Sequence, residues 1–204
     1  LKFAEVVARG ADAFLEAGAL DAGEIGRVVG PLALGTQVEG ALLRVLYALA
    51  ELGATPAGRM EKLAEALVLA VREAGGVIDA EDHPRIVQAA RLAKCDLTTE
   101  MVKEFTDLQG VVGGLYAKLQ GESKETAQAV YEHYKPLSMD DTIPATADGQ
   151  MLALADKLDT LKGCFSVGLI PSGSKDPFAL RRAAQGVVKI LAEAKLAFTL
   201  EELA

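Results

Sequence analysis

Apolar residues recur at intervals of three and four along most of this chain, and period-two alternation is hard to find, so the pattern predicts helices and no sheet. From Met60, the residues Leu63, Leu67, Ala70, Val71 and Ala74 lay one stripe on a helix that Gly75-Gly76 ends. Val38, Leu42, Val45, Leu46, Leu49 and Leu52 give an earlier stripe, stopped at Gly53 with Pro56 beyond; the two helices are expected to pack as an antiparallel pair. Pro84 suits the first turn of a helix through Ile86, Val87, Ala90 and Leu92, with Asp82 as its cap. Another helix should begin near Thr98, where Thr98-Thr99-Glu100 offers a capping hydroxyl and an acidic first turn. Further helices are expected around 108–120, 123–135, 149–163 and 177–195, with a surface loop rich in proline and aspartate from Pro136 to Gly149.

Composition refines this all-α picture. Half of the 204 residues are apolar, enough for one substantial core or for a domain with a helical appendage. The division expected is an N-terminal helical region over 1–76, rich in Ala and Gly, and a second helical domain over 77–204. Two cysteines, Cys95 and Cys164, lie far apart beside apolar neighbours, which reads as reduced thiols in a cytoplasmic protein. Arg44, Glu51, Glu65 and Arg72 interrupt the most apolar region, so no stretch reaches the ~18 uncharged residues of a membrane span. The start at Leu1-Lys2-Phe3, without an initiator Met or secretory signal, and the ending at Ala204 suggest an excerpt from a longer chain. A formal net charge of -8 repels a phosphate backbone, so nucleic-acid contact requires a local basic patch.

Few residues carry candidate chemistry. Asp156 and Asp159 are three apart on one predicted helix and share a face; they either hold a cation or pair with arginines, the plainer reading being that they cap or salt-bridge neighbouring helices. His133, between Tyr131 and Tyr134 near a helix end, is expected to be packed and hydrogen-bonded to backbone, and His83 to face solvent. In Ser172-Gly173-Ser174-Lys175-Asp176-Pro177-Phe178-Ala179-Leu180-Arg181-Arg182, Asp176 caps and Pro177 opens a largely buried helix. Its polar exceptions Arg181, Gln185 and Lys189 form one stripe, with Arg182 alongside. That stripe either neutralises Asp156 and Asp159, or Lys175, Arg181, Arg182 and Lys189 meet phosphates at a helix start. Gly173-Ser174-Lys175 lacks the upstream glycine and strand of a P-loop.

The words Leu92-Ala93-Lys94-Cys95-Asp96-Leu97-Thr98-Thr99-Glu100-Met101-Val102, Leu108-Gln109-Gly110, Glu132-His133-Tyr134, Leu154-Ala155-Asp156-Lys157-Leu158-Asp159-Thr160-Leu161 and Gly173 to Arg182 occur in this order. Over roughly residues 82–196 the chain resembles the β subunit of the bacterial tetrameric glycyl-tRNA synthetase. Its first 75 residues do not match that pattern and read as an insertion or divergent appendage. This part of the family is similar to the HD superfamily of helical metal-dependent phosphohydrolases. That resemblance places Asp96 at the aspartate of the His-Asp pair, Cys95 at the histidine and Asp156 at the late aspartate, so Cys95, Asp96, His133, Asp156 and Asp159 mark a degenerate metal site without a metal.

The resemblance also implies that aminoacylation, with its ATP and Mg, belongs to the α subunit. This chain is then a noncatalytic support for tRNA(Gly) recognition and assembly, with the α subunit and the remaining β-subunit domains as partners and no cofactor of its own. A metal-dependent HD-type phosphohydrolase and a purely structural helical scaffold are the alternatives.

Overall fold

The computed structural model describes residues 56–73, 78–171 and 176–194. The predicted helix over 38–52, Lys175 and most of the region 1–76 lie outside them. Among the described residues there are seven α-helices, two short 3-10 turns and no strand, which makes the fold all-α. The helices are α1 (Pro56–Glu73), α2 (Asp82–Leu92), α3 (Glu100–Glu104), α4 (Val111–Leu119), α5 (Lys124–Glu132), α6 (Ala147–Ser166) and α7 (Leu180–Glu193). The 3-10 turns Cys95–Thr98 and Thr106–Leu108 flank α3. No helix among the described residues is long and apolar enough to cross a membrane.

Helix α6 is the axis of the domain. Eight consecutive residues, Met151 to Leu158, are buried, because α1, α2, α5 and α7 all pack against it. Only a helix covered on every side buries such a run. α1 inserts Met60, Leu63, Ala64, Val68 and Val71 into the same core and also packs on α2. α7 buries Leu180, Ala184, Val187, Val188 and Ile190 on one face.

The helix starts follow local chemistry. Thr99, Ser123 and Thr146 each accept a hydrogen bond from the backbone amide three residues on, opening α3, α5 and α6. α7 differs from the sequence expectation: Pro177 sits in a turn and the helix begins at Leu180. The Asp176 carboxylate reaches the amides of Leu180 (2.8 Å) and Arg181 (2.9 Å), four and five residues on, and the chain gets there with Ala179 at a left-handed φ of 53°. An ordinary cap reaches only two or three residues ahead, so the intervening residues cannot be helical.

Candidate functional site

Asp96, His133 and Asp156, far apart in sequence, belong to one region of buried polar groups where the turn after α2, the end of α5 and the middle of α6 converge. Lys94 enters it at a left-handed φ of 66°. Its ammonium lies 2.8 Å from Asp156 Oδ1 and 4.1 Å from the centre of the Tyr134 ring. Burial opposes the Lys94 charge, but Asp156 and Tyr134 outweigh it and the pKa is raised. A cation over a phenol face beside a carboxylate is a favourable arrangement.

Asp96 is buried and joins two parts of the backbone. Its Oδ2 accepts the Gly110 amide at 2.6 Å, at the residue that caps α4, where a carboxylate meets the positive end of the helix. Gly110 has a φ of 79°, and a Cβ there would come within 2.8 Å of the Tyr134 ring, so glycine is required on both counts.

His133 is fully buried, with Nδ1 2.6 Å from the Val130 carbonyl. A carbonyl only accepts, so Nδ1 carries the proton and Nε2 is an unprotonated acceptor. Burial drives its pKa down to about 4, and the ring stays neutral at physiological pH. Glu132, buried beside it, accepts from the Ala145 amide at 3.0 Å and from Lys135 at 3.1 Å, holding the loop before α6. Lys157 donates to the Tyr134 carbonyl at 3.0 Å, and burial lowers its pKa to about 8.

These positions do not fit a metal ion. Asp156 is engaged by Lys94, and Asp159 accepts both Nε (2.9 Å) and a terminal nitrogen (3.1 Å) of Arg59. Cys95 is exposed, with its thiol directed to the Arg91 carbonyl at 3.5 Å. What remains is Asp96 Oδ1 and His133 Nε2, two buried acceptors without a hydrogen-bond partner. Among the described residues no group of three or more His, Cys, Asp or Glu side chains is arranged to hold a metal.

The cations that meet Asp156 and Asp159 are Lys94 and Arg59, and Lys189 of the α7 stripe is engaged elsewhere. Lys189 donates to the Met139 carbonyl at 2.6 Å and pairs with Glu193 at 3.2 Å. Arg181 is half-buried and Arg182 exposed. The sequence pointed to Cys95 and Asp96, but not to Lys94 beside them as the partner of Asp156. The signal available was a lone basic residue beside a candidate metal position. Arg59 lies 100 residues from Asp159 and left no local signal.

A family model described as glycyl-tRNA synthetase beta subunit matches residues 38–204. The glycine–tRNA ligase beta subunit of Acidobacterium capsulatum is 57% identical over 142 residues, covering 70% of this chain and 20% of that protein. The same-named protein of Chromohalobacter salexigens is 57% identical over 122 residues, 60% of this chain and 18% of its own length. That of Streptococcus gordonii is 53% identical over 135 residues, 66% and 20%. The match thus spans about a fifth of the length of these curated relatives. With a family model covering most of its length and relatives sharing more than half their aligned residues, the chain belongs to the glycyl-tRNA synthetase β-subunit family.

Proposed function

We propose that this helical domain is a noncatalytic part of a glycyl-tRNA synthetase β subunit, supporting tRNA(Gly) recognition and assembly while glycylation proceeds at the α subunit. The observation that carries the reading is the division of labour among charges. Of the acids a phosphohydrolase would use to bind metal, Asp156 is engaged by Lys94 and Asp96 accepts the Gly110 amide through one oxygen, while the nearby Asp159 is held by Arg59; Arg182 at the start of α7, in contrast, reaches solvent. Asp176 already takes the amides of Leu180 and Arg181, so phosphate would be met there by guanidinium side chains rather than by open helix amides. The net charge of -8 confines such contact to one patch.

The test is fluorescence anisotropy with labelled tRNA(Gly) on the complex with α subunit, across a salt series. Arg182→Ala is expected to weaken binding and to reduce the salt slope by about 1 for a lost phosphate contact. Undiminished binding by Lys175→Ala, Arg181→Ala and Arg182→Ala combined would sink the contact. The scaffold reading has one observation in its favour, the internal ties of Lys189 to Met139 and Glu193. It predicts that Lys189→Ala lowers stability without altering tRNA affinity.

A further inference from the structure

Seven of the fourteen large apolar side chains exposed among the described residues lie between 97 and 119. Apolar residues scattered singly over a surface do not cluster in this way. Helix α4 shows how the cluster arises. It buries Val112, Gly114 and Ala117 and packs on α5, so closely that a Cβ on Gly114 would meet the Tyr131 Cβ at 2.5 Å. Its larger residues Leu115, Tyr116 and Leu119 are left 50%, 40% and 82% exposed. A surface helix ordinarily turns its large apolar side chains inward, and one that is apolar on all sides is a buried helix. α4 carries a single charge, Lys118, and among the described residues packs chiefly on α5. Met101, Phe105 and Leu108, spaced by four and three, continue the exposed apolar series on the preceding segment.

We infer that this face docks against an apolar protein surface supplied by a β-subunit polypeptide beyond the 204 residues of this chain. Nucleic acid is a poor match, because between residues 105 and 121 only Asp107 and Lys118 are charged and phosphates need an array of cations. A complete β subunit brings ample protein surface, since this chain matches about a fifth of the length of its relatives. A surface on the same polypeptide is held at high effective concentration and needs no bimolecular encounter. A face this apolar and this poor in charge has the composition of a permanent interface rather than a transient one. The inference rests on the assembly part of the reading above and is independent of the tRNA contact at α7.

The test uses a complete β subunit containing this chain, without α subunit. Leu119→Cys is expected to react with a maleimide about tenfold or more slower than Lys62→Cys, whose parent side chain is exposed on α1. Leu119→Glu is expected to speed amide exchange in α4 and in one segment outside this chain, which names the docking element. Equal labelling of the two cysteines overturns the inference. So does protection that appears only with α subunit, that is lost on diluting a dimer, or that is already complete in the 204-residue chain. Binding of tRNA is read separately through Arg182→Ala, so either reading can fail without the other.

Discussion

Around α6, large apolar side chains point inward from four surrounding helices, and Asp156, Asp159 and Asp148 among them meet Lys94, Arg59 and Arg85. In the arm formed by residues 95–119, two valines and small residues make the internal contacts while the leucines, Met101, Phe105 and Tyr116 face out. Leu152 and Leu154 are almost wholly buried, whereas Leu119 is 82% exposed. The bundle holds itself together by burial. The arm is positioned instead by specific polar and steric fits, namely Asp96 on the Gly110 amide and Gly114 against Tyr131. The lesson is that two helical segments differ in where they put their large apolar side chains: the bundle buries most of its own, and the arm presents a surface.

The sharpest way to test that contrast is to empty a core position. Leu152→Ala is expected to destabilise the domain by about 2–5 kcal/mol, since a buried leucine loses transfer free energy and leaves a cavity. Urea unfolding of the variant beside the parent measures it. A loss below about 1 kcal/mol would break the picture of α6 as a tightly packed axis.

Next in size is the charge matching. Lys94→Met leaves Asp156 unpaired where its side chain is only 9% exposed. Removing one partner of a fully buried pair costs about 3–5 kcal/mol, and the low end applies because Lys94 keeps 28% of its side-chain surface. Thermal unfolding should show this, and Asp156→Leu in the same background should recover much of the loss. Failure of that second change to rescue would mean that Asp156 does more than face Lys94.

A pH series addresses the same region. The folded pKa of His133 is about 4 against an ordinary 6.5, because burial disfavours the imidazolium. Between those values the unfolded chain binds a proton that the folded chain does not. Stability from this group is therefore present above about 6.5, falls as pH drops toward 4, and is flat below. The slope is about 1.36 kcal/mol per pH unit, on the order of 3 kcal/mol in all. Lys157 has the same sign at alkaline pH: its folded value of about 8 lies below 10.5, so stability rises with pH between them. His133→Asn should lose less stability than the parent between pH 7 and 4.5. Parallel losses would show that the ring is not held neutral.

Much of the bundle was legible in the sequence because its helices carry their own signals. The capping signal at Thr98-Thr99-Glu100 and the stripe through Leu63 and Val71 are local features that mark observed elements, whereas Asp82, expected to cap α2, is its first helical residue, and the caps Ser123 and Thr146 were not read from the sequence. The start of α7 was misplaced because Asp176 acts over a longer reach than a simple cap. The site was legible only as a set of words. Asp156 and Asp159 share a helix face in both sequence and structure, but their partners Lys94 and Arg59 come from other elements. Periodicity along one segment carries no information about which distant cation arrives. The inverted packing of α4 was hidden for a related reason: an apolar run shows that a helix is sticky, not which side is already covered.

The smallest expected effect is the most informative about the arm. Leu119→Ala removes an apolar side chain that is 82% exposed, so in this 204-residue chain it should change unfolding free energy by no more than about 0.5 kcal/mol. Leu115→Ala, at 50% exposure, should cost somewhat more, because part of that side chain is already out of water. Both effects should grow in a complete β subunit, where a docked surface would turn exposed leucines into buried ones and bring the loss toward the core range. A large loss in the short chain itself would mean that the arm is covered there, and the contrast between the two regions would disappear. Small losses in both settings would leave the contrast standing and remove the reason to assign the arm a partner.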